Sequence, residues 1–180
     1  TPSAYNSLGQ LLRRTEYTIY DSAAENKNTI KRSKQDIRYD KYGFVKATYD
    51  EVTEESETTS TLELDHTYDV ITFMFNYTPA NETVSNITSA YTTVNPTNNE
   101  ASYNNLGQLT QRTEYIFDKL TSTDTEYKVT RKRTKQGAYM QYDLYNRIKA
   151  TWDQVREFES SGDLDLEHTY EVQTVMWTRT

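Results

Sequence analysis

Four short stretches of this chain share one pattern, and that pattern limits what the backbone can do. Tyr5-Asn6-Ser7-Leu8-Gly9, Tyr39-Asp40-Lys41-Tyr42-Gly43, Tyr103-Asn104-Asn105-Leu106-Gly107 and Tyr142-Asp143-Leu144-Tyr145-Asn146 each read Tyr, then Asn or Asp, two free positions, then Gly or Asn. Asn or Asp favours the first position of a type I turn, because its side chain bonds the backbone two residues on. Gly and Asn are the residues that best tolerate positive φ. The pattern therefore predicts positive φ at Gly9, Gly43, Gly107 and Asn146, and a type I turn closed by a left-handed residue is a hairpin turn with a G1 bulge. Nothing in the motif is chemically reactive.

The motifs belong to a longer repeat. Tyr5 to Tyr17 recurs as Tyr103 to Tyr115, 98 positions on, and Lys31-Arg32-Ser33-Lys34-Gln35 recurs as Lys132-Arg133-Thr134-Lys135-Gln136, 101 positions on. Tyr39 to Asp50 recurs as Tyr142 to Asp153, and Leu62 to Val70 as Leu164 to Val172, at offsets of 103 and 102. The small drift places insertions and deletions between matched blocks, as expected for loops joining strands.

Within each copy the blocks alternate with period two, the pattern of half-buried strands. Leu11, Arg13, Thr15, Tyr17 and Ile19 share one face, echoed by Leu109, Gln111, Thr113, Tyr115 and Phe117. Val45, Ala47 and Tyr49 oppose Phe44, Lys46, Thr48 and Asp50, and Leu62, Leu64, His66, Tyr68 and Val70 oppose Glu63, Asp65, Thr67 and Asp69. No long helical periodicity stands out, and the density of Thr, Tyr and Asn is poor for helices. The expected fold is all-β: two tandem antiparallel β-hairpin repeat modules, sandwich-like or drawn out as an extended β-array, with apolar faces inward and Thr- and charge-rich faces outward. Residues 1–78 and 102–180 are the two modules. Residues 79–101 form an inter-repeat segment whose Thr- and Val-rich middle reads as one extra strand. The second copy stops at Thr180 without its own version of that segment, which reads as part of a longer array.

Composition narrows the function. The hydrophobic fraction is 34% even with 16 tyrosines counted, against about 45–50% for an average domain on a scale that counts Gly rather than Tyr. A thin aromatic core follows. A net charge of −7 opposes a nucleic-acid partner, and the lack of cysteine removes disulfides, thiolate zinc sites and thiol catalysis together. No apolar run is long enough to span a membrane.

Chemistry-bearing residues take structural readings more readily than catalytic ones. His66 and His168 occupy matching positions beside Asp65 and Glu167; alternation sends acid and imidazole to opposite faces, so each histidine reads as a sheet-interior residue rather than a metal ligand or base. The basic runs at Lys31-Arg32-Ser33-Lys34 and Arg131-Lys132-Arg133-Thr134-Lys135, each followed by an acidic stretch (Glu51, Glu54, Glu55 and Glu57; Glu157 and Glu159), read as neighbouring strands with charges opposed across the sheet. No phosphate loop, nucleophile elbow or HExxH is present, and a catalytic centre would have to be duplicated. No cofactor and no metal are expected, and the chain reads as a non-enzyme. Tyr42, Tyr145, Trp152 and Trp177 are the candidate platforms for sugar rings. Sequons at Asn76, Asn81 and Asn86 are acceptors for glycans in an exported chain, or coincidences of an Asn- and Thr-rich segment.

The four Tyr-[Asn/Asp]-x-x-[Gly/Asn] units resemble the tyrosine-aspartate (Rhs-type) repeats of bacterial surface and toxin-delivery proteins, and the degenerate repeats of very large bacterial surface proteins. The resemblance covers about half of the chain and implies an extended β-sheet, coiled into a shell or long spiral, exposed outside the cell. The leading expectation is a structural or adhesive repeat of an extracellular surface, fibre or array, with further copies of itself or adjacent repeats as partners. A carbohydrate-binding module using Tyr and Trp platforms is the alternative.

Overall fold

The computed structural model describes residues 4–21, 27–58, 61–79, 83–93, 102–119, 127–135, 140–159 and 165–176. The fold is all-β, with one short helix among the described residues. The strands are β1 (Arg14–Asp21), β2 (Lys27–Tyr39), β3 (Val45–Thr58), β4 (Thr61–Phe73), β5 (Arg112–Lys119), β6 (Tyr127–Lys135), β7 (Gln141–Tyr142), β8 (Ile148–Glu159) and β9 (Asp165–Val175), with α1 (Val84–Thr93) between β4 and β5.

All nine strands form one antiparallel sheet in the order β1-β2-β3-β4-β5-β6-β8, with β7 continuing the line of β6 alongside β8 and β9 on the far side of β8. The second sequence copy retraces the first: β5, β6 with β7, β8 and β9 occupy the places of β1, β2, β3 and β4. Bulges recur too, with a register shift after Glu54 in the β3–β4 ladder and after Glu157 in the β8–β9 ladder. The sheet runs unbroken through the copy boundary, because β4 pairs with β5 from Thr67↔Lys119 to Phe73↔Thr113. An extended array therefore describes the architecture better than a sandwich.

Residues 84–93 correct the expected extra strand: they are helical. Thr83 caps the helix, its Oγ1 accepting from the Asn86 amide at 3.2 Å. Val84, Ile87 and Tyr91 fall on one helical face, and Ile87 and Tyr91 are buried against the sheet. Six Ser, Thr or Asn residues in ten give poor intrinsic propensity, so packing sustains this helix. Arg38 fastens its far end, donating to the Thr92 carbonyl at 2.9 Å with its guanidinium 4.7 Å from the Tyr91 ring centroid.

Under the helix lies the core: Ala47, Ile71, Phe73, Phe75, Tyr115 and Phe117 with Ile87 and Tyr91. It is aromatic, with Phe73 at 4.6 Å from Tyr77 and 5.4 Å from Phe75 between ring centroids. It straddles the copy boundary, joining β3 and β4 to β5. Residues 75–77 are tied down by β5: the buried Thr113 hydroxyl accepts from the Tyr77 amide and donates to the Phe75 carbonyl, and Tyr115 donates to the Tyr77 carbonyl.

The opposite face departs from the expected solvent-facing pattern. Lys46, Thr48, Asp50, Thr72, Thr151 and Asp153 are buried along with Val52, Val70 and Val155. Alternation reports polarity, not depth. The basic and acidic stretches do lie on neighbouring strands, but register opposes the charges only in part: Lys34 faces Asp50, Lys135 faces Asp153 and Arg131 faces Glu157, whereas Glu51, Glu54 and Glu55 face Ser33, Ile30 and Thr29.

Replacing Ile87 by Ala should lower stability by about 2–5 kcal/mol in urea unfolding. A loss under about 0.5 kcal/mol, the size typical of a surface substitution, would show that α1 is not part of the core.

Candidate functional site

The four Tyr-Asx motifs converge on one end of the sheet and have the same geometry. In the first, the Asn6 amide donates to the Gln10 carbonyl and the Gly9 amide to the Asn6 carbonyl, both at 3.0 Å, while Asn6 Oδ1 accepts from the Leu8 and Gln10 amides at 2.9 Å. The same four bonds recur around Asp40, Asn104 and Asp143. The closing residue has φ of 75° at Gly9, 87° at Gly43, 74° at Gly107 and 66° at Asn146. That is a three-residue hairpin loop with its left-handed residue last. The second atom of each Asx head depends on the residue four positions on. Asn6 and Asn104 donate to Gln10 and Gln108 at 2.7 and 2.6 Å, whereas Asp143 accepts both Nε and Nη2 of Arg147 at 2.7 Å. Backbone and side-chain donation from Arg147 holds the Asp143 carboxyl below its ordinary pKa.

The motif tyrosine links one turn to the next. Tyr39 donates its hydroxyl to the Leu11 carbonyl at 2.7 Å, Tyr103 to the Val45 carbonyl at 2.9 Å, and Tyr142 to the Leu109 carbonyl. In every case the acceptor is the residue six after the preceding motif's tyrosine. The turns also pack directly. Phe44 stacks on Tyr103 with centroids 4.8 Å apart, and a Cβ placed on Gly107 would lie 3.3 Å from the Phe44 ring. One on Gly43 would lie 3.3 Å from Gln10, whereas around Gly9, in the first motif, none of the described residues comes within 4 Å. The result is a ladder of four turns in chain order. Burial, with Asp40 and Tyr142 adding to it, pushes the Tyr103 phenol up to about 12, and burial raises Tyr39 and Tyr142 as well.

The ladder displays a row of exposed apolar side chains, since the fourth motif position is Leu8, Tyr42, Leu106 and Tyr145, all solvent-exposed. Leu8 and Leu106 escape a search for aromatic platforms; aligning the motifs by position reveals them. Lys41 lies 4.9 Å from the Tyr42 ring centroid and Arg147 5.2 Å from that of Tyr145, so a cation flanks each exposed ring. Trp152 is half-buried rather than displayed, and Trp177 lies outside the described residues.

Elsewhere the structure brings together a second repeated group. Tyr68 donates to Glu54 at 2.9 Å and Tyr170 to Glu157 at 2.8 Å, while His66 and His168 lie opposite those same glutamates by register. His168 is exposed, which corrects its assignment to the sheet interior: it stands near the end of the β8–β9 hairpin, on the strand that closes the sheet. The His66 side chain lies outside the described residues. Among the described residues no group of three or more His, Cys, Asp or Glu is arranged to hold a metal ion. Of the sequons, Asn76 is exposed after β4, Asn86 is exposed in the first turn of α1, and Asn81 lies outside the described residues. No described helix is long and apolar enough to cross a membrane.

Comparison with family models, curated proteins and solved structures yields no match for the chain.

Two outcomes test the ladder. Gly43→Ala should cost roughly 1–2 kcal/mol for a left-handed L-residue, while Asn146→Gly should be neutral or stabilising by no more than about 1 kcal/mol; equal destabilisation by both in thermal unfolding would contradict the backbone role. In alkaline titration followed by phenolate absorbance, a late component near pH 12 should vanish in Tyr103→Phe. Because folding raises this pKa from 10, its contribution to stability is complete below pH 10 and is lost as pH rises through about 12. A single transition of all tyrosines near their ordinary value would contradict the burial of Tyr103.

Proposed function

We propose that the chain is a structural or adhesive repeat segment of an extracellular surface, fibre or array. It acts by extending a β-sheet and presenting the turn row, without making or breaking covalent bonds. The observation that supports this best is that β4 pairs with β5 and Tyr103 with the Val45 carbonyl across the copy boundary, in the manner of the contacts inside each copy. A unit that joins its own successor in this way is suited to joining more of them. The resemblance to tyrosine-aspartate repeats points the same way, toward a long sheet outside the cell. Among the described residues β1 and β9 are the two lateral edge strands of the sheet, the places where strand addition can occur.

Carbohydrate binding is the second reading, favoured by the exposed Tyr42 and Tyr145 rings in a row with Leu8 and Leu106. Aromatic and apolar surface at regular spacing suits many weak contacts to a repetitive ligand.

Sedimentation over a range of concentrations, with electron microscopy of the same samples, separates the two. Assembly predicts end-to-end oligomers that lengthen with concentration. A monomer at every concentration, with tryptophan fluorescence that shifts on adding glycan, would replace it with the second reading.

A further inference from the structure

We infer that a second copy of this chain adds to the open end of the sheet in one defined register: β9 of one copy pairs antiparallel with β1 of the next, as β4 pairs with β5 inside the chain. The inference rests on the assembly reading above and specifies its joint.

The two sequence copies supply matched positions at the internal junction and at the ends of the sheet. Ala47 faces Phe73 across β3–β4 and Ala150 faces Val175 across β8–β9, so Val175 is the counterpart of Phe73. Thr113 faces Thr134 and Thr15 faces Ser33, so Thr15 and Tyr17 are the counterparts of Thr113 and Tyr115. At the internal junction Phe73 and Tyr115 are both 0% exposed. At the ends of the sheet, the corresponding Val175 and Tyr17 are 52% and 61% exposed. Equivalent positions are buried at the internal junction, where α1 and residues 75–77 lie over the paired strands, and exposed at the ends of the sheet. Carrying the Phe73↔Thr113 and Ile71↔Tyr115 pairs across to the ends sets Val175 opposite Thr15, and Gln173 opposite Tyr17, of the next copy.

The turn ladder extends by the same translation. Tyr103 donates to the Val45 carbonyl and the Ser102 amide to the Met74 carbonyl. Their counterparts are Tyr5 to the Ile148 carbonyl, and Ala4 to the Met176 carbonyl, of the preceding copy. The carbonyl at Met176 is already placed, because Met176 donates to the Lys149 carbonyl at 2.8 Å just as Met74 donates to Lys46. Among the described residues the space around Gly9 is open, which is where the sixth-position side chain of the preceding turn belongs. The two ends differ from each other, so the contact is head-to-tail and does not close on itself by two-fold symmetry.

The chain contains no cysteine, so engineered pairs report cleanly. Thr15→Cys and Val175→Cys chains, mixed at concentrations where the wild type associates and oxidised mildly, should give a disulfide-linked dimer, since directly opposed antiparallel residues lie within disulfide reach. Glu16→Cys with Val175→Cys should give about tenfold less, because a one-residue slip puts the side chains on opposite faces. Tyr5→Phe should weaken association several-fold. Equal yields from both pairs, a dominant Val175→Cys homodimer, or undiminished association of Tyr5→Phe would overturn the joint while leaving assembly standing. A wild type that stays monomeric at every concentration would overturn both.

Discussion

One side-chain oxygen accepting two backbone amides fixes each turn of this protein, and the four turns fix the sheet. Asn6, Asp40, Asn104 and Asp143 each hold the amides of the residues two and four positions on, which leaves the intervening residue in the left-handed region. That geometry sets the loop length, and loop length sets strand register. Register in turn decides which residues share a face, so that Phe73, Ile71 and Tyr115 meet under α1. Were one turn a residue longer, the aromatic core and the buried polar face would exchange sides.

The tyrosine of each motif turns a series of local hairpins into a continuous object. In the second, third and fourth motifs its hydroxyl donates to a carbonyl of the preceding turn, a bond worth about 0.5–1.5 kcal/mol net. Position matters more than magnitude here, because the bond recurs along the one end of the sheet where the motif turns lie. The Phe44–Tyr103 stack and the close approach of Phe44 to Gly107 do the same across the copy boundary. Glycine at the fifth position meets two demands together, positive φ and room for the neighbour. Asn146 shows that the first demand alone can be met by another residue.

Strands and turns were legible in the sequence because both are local: period-two alternation and Asx-to-Gly spacing act within a few residues. The repeat made them clearer, since each block could be read twice. Helix α1 was not legible, because its Thr, Ser and Asn content argues against helix and its stability comes from Ile87 and Tyr91 meeting residues far away in the chain. The signals that could have found it were Thr83 before an apolar spacing of three and four at Val84, Ile87 and Tyr91. Burial of Lys46, Asp50 and Asp153 was hidden for a similar reason: the chemistry of a side chain does not announce that its neighbours will cover it. The apolar row Leu8, Tyr42, Leu106 and Tyr145 could have been read, and was obscured because two of its members are not aromatic.

The account stands or falls on the sheet being continuous through the boundary between the two copies. Native-state hydrogen exchange resolved by residue measures this directly, because it reports the opening free energy of each cooperative unit. Amides bridging β4 and β5 should exchange as slowly as those bridging β3 and β4, since a single aromatic core spans both ladders. Amides at the β4–β5 junction that exchange far faster than those inside either copy would mean two independent modules in loose contact, and would contradict the account.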